Sequence, residues 1–191
     1  MFRTARPPAV ILTLIALTAS LALTSSRAEA QVKPLKITGG GYAPDGISLV
    51  PDTPAPHSAT GNATELGKYT GEGWFQILDY TGPLTAQFSS APNFFFVAAN
   101  GDHLAMTYGD TSNGAKQTGQ VTLVPNSDGS LTAYFVAEFN PDLPNCTGRF
   151  AKLTGGSLIM YAVSDPFFIV GTSTTPFNYS WSGTGTLTFG K

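Results

Sequence analysis

The sequence predicts an all-β protein, with a single antiparallel sheet of about eight strands closed into a barrel. Charged residues make up only 12% of the 191-residue chain, whereas glycine (21 residues) and phenylalanine (13 residues) are numerous. This composition is typical of sheets rather than of helices. No segment keeps a 3.6-residue hydrophobic period over three turns. Short runs of β-forming residues alternate with turn sequences, and closure into a barrel would leave no strand edge exposed.

The clearest predicted strand is Phe177–Phe189. Its odd-numbered positions carry aromatic residues, leucine and glycine, and its even-numbered positions carry serine, threonine and asparagine. Because side chains alternate between the two faces of a strand, thirteen residues of strict alternation fix the register. Gly183 and Gly185 lie on the apolar face and favour a sheet that curls at this point.

Turn sequences divide the central part of the chain. Asn100-Gly101 is the strongest hairpin signal because both residues tolerate positive φ. We interpret residues 126–129 as a second turn and Gly71-Glu72-Gly73 as a third. The strands predicted between these turns are 64–70, 74–80, 84–88, 94–99, 103–108, 120–124 and 131–139.

Residues 31–60 are rich in proline and glycine, so we predict an extended arm with a possible short edge strand at residues 35–38. His57 falls in this segment and is interpreted as a solvated loop residue. The predicted barrel domain then covers residues 61–190.

Residues 1–30 have the pattern of a secretory signal peptide. Arg3 and Arg6 precede a 15-residue apolar run, and Ala28 and Ala30 occupy the −3 and −1 positions of a cleavage site. A 15-residue helix spans about 22 Å, less than the roughly 30 Å of a bilayer core, so we predict no membrane span. We expect cleavage after Ala30 and a secreted or periplasmic protein.

Charge and cysteine content exclude several classes of partner. Cleavage would leave 7 basic and 11 acidic side chains, a net charge of −4, which argues against a nucleic-acid partner. Cys146, His57 and His103 have no metal-ligand spacing, so no metal or other cofactor is predicted. Cys146 is interpreted as a small buried residue, with an intermolecular disulfide or a reactive thiol as the alternatives.

Several predicted strands carry apolar residues on both faces, for example residues 94–99 and 158–163. An antiparallel sheet with one face in water would alternate between apolar and polar residues. Something must therefore cover the second face, either the 31–60 arm or another copy of the chain. The second possibility predicts a homo-oligomer.

A single arginine follows the predicted cleavage site, and it lies in a glycine-containing loop. We interpret this loop as a structural motif made of Gly148, Arg149, Phe150 and Gly155. The guanidinium would pin the 140–145 loop through its carbonyl groups or through a carboxylate such as Asp142 or Glu138. The alternative is an anion-binding group at the barrel mouth.

Three segments resemble secreted bacterial barrels related to the allene oxide cyclase and dirigent group. Residues 61–70 (GNATELGKYT) resemble their opening strand, and residues 99–104 (ANGDHL) resemble their central hairpin. Residues 147–151 (TGRFA), with Gly155, resemble the Gly-Arg-Phe signature before their penultimate hairpin. The resemblance implies an eight-stranded, calycin-like barrel with an apolar central cavity, assembled as a dimer or trimer. It assigns no catalytic residue, because the polar groups that such barrels use lie outside the matching segments.

The sequence favours a non-catalytic protein. It lacks the Gly-x-Ser-x-Gly elbow of hydrolases, and the eleven acids that follow the predicted cleavage site allow too many carboxylate pairs to single out one. The aromatic residues expected to line a ligand cavity are Tyr69, Tyr161, Tyr179 and Trp181. Our first hypothesis is a secreted barrel that binds a small apolar ligand or serves a structural role outside the cytoplasm. The alternative is a cyclase or isomerase that steers a reactive intermediate without a metal or a covalent nucleophile. A fully packed interior would contradict both ligand binding and catalysis.

Overall fold

The computed structural model describes residues 30–113 and 115–191. The predicted signal peptide, Ala30 excepted, lies outside these residues. The described chain forms strands and three short 3-10 turns at Thr111–Asn113, Leu143–Asn145 and Gly148–Lys152. The strands are β1 (Gln31–Ala43), β2 (Ala55–Ala63), β3 (Gly67–Gly82), β4 (Thr85–Ala98), β5 (His103–Tyr108), β6 (Gly119–Pro125), β7 (Leu131–Pro141), β8 (Leu153–Ser164), β9 (Ile169–Val170), β10 (Ser173–Thr174) and β11 (Phe177–Phe189). Within the described ranges, no helix combines the length and apolarity needed to cross a bilayer.

The strands pair around a ring. The order of antiparallel neighbours is β3, β2, β1, β11, β8, β7, β5 and β4, and β4 pairs back with β3. Strand β6 pairs with both β4 and β7. The prediction of an all-β protein built on a large antiparallel sheet is confirmed, and the ring gives this sheet an inner and an outer face.

The strongest local predictions are confirmed. Strand β11 begins and ends where the alternation does, and its buried residues include Phe177, Trp181 and Leu187. It pairs with β1 on one side and β8 on the other. Gly101 and Gly129 both have a φ of 85° and form the predicted turns between β4 and β5 and between β6 and β7.

Residues 31–60 differ from the sequence prediction. They form β1, which is paired along one edge with β2 and along the other with β11, and most of β2. The Gly39–Gly41 run looked like a loop but lies inside β1, because aromatic side chains cross the strand there. A Cβ atom on Gly39 would meet Tyr69 and Trp181, and one on Gly41 would meet the Tyr179 ring. The possible strand at residues 35–38 lies within β1, but β1 is not an edge strand, and the prediction that the rest of the segment is an extended arm is wrong. This segment is therefore not free to cover the outer face.

Two other local assignments differ from the structure, one of a turn and one of the start of a strand. Gly71-Glu72-Gly73 lies within β3, where glycine allows the Phe94 ring of β4 to pack against the backbone. The predicted strand at 64–70 contains instead the turn from β2 to β3, with Gly67 at a φ of 67°. At residues 71–73 glycine therefore permits close packing within a strand, whereas the sequence had indicated a turn.

One part of the ring interior is filled by aliphatic side chains. The residues that pack it, each no more than 2% exposed, are Leu35, Ile37, Leu104, Leu158 and Leu187. Burying each such side chain contributes about 1.5–3 kcal/mol to folding. The rest of the interior is lined mainly by aromatic residues and encloses a cavity.

Candidate functional site

The cavity lies inside the ring, and each of the eight strands that pair around the ring contributes at least one side chain to its lining. The cavity volume is about 70 Å³ when only positions open to the centre of a water molecule are counted, and about 570 Å³ when all space between the lining atoms and at the open mouth is included. The lining residues are Ala43, Ile47, Ala55, Pro56, His57, Phe75, Phe88, Tyr108, Phe135, Ala137, Phe139, Met160, Ala162, Phe177, Tyr179 and Trp181. A single water molecule needs about 10–15 Å³ of the smaller volume, so the cavity has room for several waters or a small apolar molecule.

The wall of the cavity carries no full charge. Among the described residues that line it there is no Lys, Arg, Asp or Glu, and the polar groups come from His57 and three aromatic side chains. Phe75 and Phe88 stack with ring centroids 4.7 Å apart, and Phe135 meets both rings edge-on. A second cavity of about 40 Å³ lies behind this aromatic group and shares Phe75 and Phe135 with the first.

A histidine between two tyrosines forms the polar centre of the cavity. His57 Nδ1 lies 2.8 Å from Tyr179 Oη, and His57 Nε2 lies 3.0 Å from Tyr108 Oη. The imidazole packs on the Phe94 ring, with centroids 4.9 Å apart. Strand β2 supplies the histidine, and β5 and β11 supply the tyrosines, so only the folded ring brings the three together.

Each tyrosine also reaches a backbone carbonyl. Tyr108 Oη is 3.0 Å from the Trp74 carbonyl oxygen, and Tyr179 Oη is 3.0 Å from the Ser58 carbonyl oxygen. Trp74 lies opposite Pro56 in the β2–β3 ladder, and Pro56 has no N–H to donate to it. The result is a polar chain of four short contacts, from Trp74 through Tyr108, His57 and Tyr179 to Ser58. We call this the histidine chain.

Burial keeps the histidine chain uncharged at neutral pH. Desolvation lowers the pKa of His57 from 6.5 to about 4. Desolvation also raises the pKa of Tyr108 and Tyr179, and in each case a nearby tyrosine adds to the shift. At pH 7 the imidazole therefore carries a single N–H, and both phenols keep their protons.

A second polar chain links β11, β3 and β1. Trp181 Nε1 donates to Tyr69 Oη at 2.8 Å, and Tyr69 Oη donates to the Thr38 carbonyl oxygen at 3.2 Å. Burial raises the pKa of Tyr69 to about 12, although the bond from Trp181 acts in the opposite direction. We call this the tryptophan chain.

The four aromatic residues predicted to line a ligand cavity occupy three different environments. Tyr179 and Trp181 are part of the cavity wall. Tyr69 is buried behind that wall, in contact with Trp181. Tyr161 is 60% exposed on the outer face of β8. It lies two residues from the outward-facing Val163, and residues two apart on a strand point to the same face. The expectation that Tyr161 lines the interior is therefore wrong.

His57 and Tyr108 were missed by the sequence analysis. The signal for His57 was the alternation of small residues at 55, 59 and 63, all of them buried, which places His57 on the inner face of β2. Proline and glycine nearby had favoured a loop. For Tyr108 no local signal exists, since its role depends on His57, which lies 51 residues away in the chain.

The Arg149 loop contributes no residue to the cavity lining and is held differently from the prediction. The partner of the guanidinium is Asp102, at 3.9 Å from Nε, and Asp102 also accepts a bond from the Arg149 backbone N–H at 3.3 Å. Neither predicted carboxylate is available. Asp142 accepts from Asn93 and Asn145, and Glu138 is buried and accepts from the Lys116 backbone N–H.

The neighbouring motif residues differ in what they contribute. Phe150 is fully buried, and Gly148 has a φ of 57° with the Asp102 carboxylate where a Cβ would lie. Gly155, by contrast, has open space around its Cβ position, and the tight glycine is Gly156, at a φ of 144°. The Gly155 part of the predicted motif is therefore replaced by Gly156.

Cys146 is a buried free thiol. Its Sγ lies 3.5 Å from the Ala105 carbonyl oxygen. Burial raises the pKa of the thiol, which lowers the fraction of nucleophilic thiolate. The interpretation as a small buried residue agrees with this environment.

In residues 30–113 and 115–191, no three His, Cys, Asp or Glu side chains come together as a metal site. Comparison of the chain with models of protein families, with curated proteins and with solved structures gives no significant match. The resemblance to allene oxide cyclase and dirigent barrels stays a prediction.

Proposed function

We propose that this protein binds one small, uncharged, largely apolar molecule in the cavity of the ring. The observation that carries the proposal is an uncharged aromatic cavity in which His57, Tyr108 and Tyr179 converge. Ligand sites commonly combine an apolar wall with a few polar groups that fix orientation. An anion or cation would lose its hydration without finding a counter-charge, so a neutral ligand fits best.

Binding without catalysis has more support than the cyclase or isomerase alternative. Both nitrogens of His57 already contact tyrosine oxygens. With its pKa lowered to about 4, the imidazole is a weak base at neutral pH. These properties suit a group that orients a ligand rather than one that removes a proton from it.

The surrounding architecture is part of the proposal. The ring of pairings supports a closed, eight-stranded, calycin-like barrel of the kind that the resemblance implies. We propose secretion after cleavage at Ala30, on the sequence pattern alone.

We also propose that the chain forms a dimer or trimer through its outer face. Tyr134, Tyr161 and Val163 are all more than a third exposed on neighbouring strands, with Tyr134 directly opposite Val163. Since residues 31–60 are part of the sheet, a second copy of the chain is the better candidate to cover this patch. Native mass spectrometry should show a dimer or trimer that Tyr161→Glu converts to monomer, and a monomeric wild type would contradict the proposal.

The binding proposal can be tested with a single tryptophan. The protein has two, Trp181 in the cavity wall and the 46% exposed Trp74. In Trp74→Phe, iodobenzene, an uncharged heavy-atom quencher, should reduce Trp181 emission in a saturable way, whereas iodide ion should not.

A cavity-filling variant supplies the control. Ala137 lines the cavity and is 4% exposed, so Ala137→Leu should occupy part of the space and abolish saturable quenching. Ala151→Leu makes the same change at an exposed position and should leave quenching unaltered. Quenching that is linear in iodobenzene, or equal in both variants, would reject the cavity as a binding site.

A further inference from the structure

The histidine chain has fewer protons than contacts. Its three side chains make four short contacts, two between His57 and the tyrosines and two from the tyrosines to backbone carbonyls. A neutral imidazole has one N–H, and each phenol has one O–H. Three protons therefore serve four contacts, and none is left for an additional acceptor.

The three protons can be arranged in two ways, and each arrangement makes three hydrogen bonds. With the proton on Nδ1, His57 donates to Tyr179, Tyr179 donates to the Ser58 carbonyl, and Tyr108 donates to Nε2. With the proton on Nε2, His57 donates to Tyr108, Tyr108 donates to the Trp74 carbonyl, and Tyr179 donates to Nδ1. In each arrangement one carbonyl contact has no proton.

The same count shows where the chain can accept a hydrogen bond. Whichever tyrosine donates to the imidazole accepts nothing from the protein, so its lone pairs are open to another donor. Tyr108 is 2% exposed, whereas Tyr179 is partly exposed, and both belong to the cavity wall. Tyr179 Oη is therefore the more accessible acceptor, and it is open when the imidazole proton is on Nε2.

We infer that the cavity recognises an uncharged apolar molecule through one hydrogen-bond donor of the ligand, an O–H or N–H that bonds to Tyr179 Oη. This inference rests on the proposed function and specifies its ligand class. A ketone or ether of the same shape presents only an acceptor, and it finds no proton unless an existing contact in the chain is broken. Binding of a donor also selects the arrangement with the His57 proton on Nε2.

A pair of isosteric probes tests the preference. Indole and benzofuran share their ring skeleton, but indole has an N–H where benzofuran has an oxygen. Since a neutral hydrogen bond is modest in net strength, indole should bind roughly three- to tenfold more tightly, measured by calorimetry. Tyr179→Phe should remove most of that ratio, and Tyr161→Phe, the same change on the outer face, should retain it.

A spectroscopic measurement follows the proton itself. Nitrogen-15 NMR distinguishes the two histidine tautomers, and His103→Gln leaves His57 as the only histidine. Indole should move His57 to the Nε2–H tautomer, and benzofuran should not.

The outcomes separate this inference from the proposed function. If iodobenzene fails to bind the cavity, the proposed function fails and the inference fails with it. If iodobenzene and benzofuran bind but indole has no advantage that depends on Tyr179, the proposed function stands and the inference is wrong. An indole complex with the proton on Nδ1 would also overturn it.

Discussion

The interior contains two polar chains that include tyrosine, and they differ in whether the number of protons equals the number of hydrogen-bond contacts. In the tryptophan chain, the indole N–H and the Tyr69 O–H serve two contacts, so each contact has its proton. In the histidine chain, three protons serve four contacts. One chain is complete within the protein, and the other is one donor short.

The difference corresponds to position. Tyr69, which joins the two bonds of the tryptophan chain, is 4% exposed and is not part of the cavity wall, although its partner Trp181 is. His57, Tyr108 and Tyr179 all belong to the wall. A fully satisfied buried network fixes one packing arrangement, because any change leaves a polar group without a partner. A network with spare acceptor capacity next to a cavity can instead respond to what enters. The tryptophan chain is thus suited to holding the ring together, and the histidine chain to contacting a ligand.

The largest expected contrast is the response to acid. Because the folded-state pKa of His57 is about 4 against an ordinary 6.5, the unfolded chain binds this proton more tightly and acid favours unfolding. The loss of folding stability due to His57 is absent above about pH 6.5 and grows as pH falls to about 4, where it reaches roughly 3 kcal/mol. The tryptophan chain has no group that titrates in this window.

Urea denaturation at several pH values measures this contribution. His57→Gln should lose less stability than the wild type between pH 7 and pH 4, since carboxylates contribute equally to both proteins. If the free energy of unfolding falls equally with pH in the two proteins, His57 is not desolvated as described.

Removing the hydroxyl of Tyr69 should have the next largest effect. Tyr69→Phe leaves the buried Trp181 N–H without its acceptor, and an unsatisfied buried donor costs about 1–3 kcal/mol. Denaturation at pH 7 measures the loss, and saturable quenching by iodobenzene should persist because the cavity wall is unchanged. A loss below about 0.5 kcal/mol would remove the structural role assigned to this chain.

The same substitution at Tyr179 should cost less, under about 1 kcal/mol. Without the Tyr179 hydroxyl, His57 can donate from Nε2 to Tyr108, and Tyr108 to the Trp74 carbonyl, so both remaining contacts have protons. The lone pair of His57 Nδ1 loses its partner but faces a cavity with room for water, and no N–H or O–H of the chain is left without an acceptor. If Tyr179→Phe destabilises the protein more than Tyr69→Phe, the donor count does not govern these energies.

The sequence predicted the elements whose information is local. Strand β11 carries its alternation in thirteen consecutive residues, and the Gly101 turn is encoded in two. Most of strand β1 was missed because its glycines are explained by Tyr69 and Tyr179, which belong to strands far away in the sequence. Glycine marks a turn or a close contact equally well, and only the partner side chain distinguishes them.

The candidate site was harder to predict than the fold for the same reason. His57 lies 51 residues from Tyr108 and 122 residues from Tyr179, so no spacing motif connects them. Tyr179 and Trp181 were found because they lie on the apolar face of a strand with a clear register. Tyr161 was assigned to the interior by residue type, although its strand carries apolar residues on both faces, so its pattern could not show which way it points.

The smallest expected effect is at Arg149, far from both chains. Arg149→Ala should cost less than about 1 kcal/mol, because the side chain is 45% exposed and its Nε lies 3.9 Å from Asp102. The bond from the Arg149 backbone N–H to Asp102 survives the substitution and continues to hold the loop. Phe150→Ala, which empties a fully buried position in the same loop, should cost about 3 kcal/mol or more and serves as the reference. Urea denaturation of the two variants compares them directly. Equal losses would mean that the arginine side chain, rather than the Asp102 carboxylate and the Phe150 ring, fixes this loop.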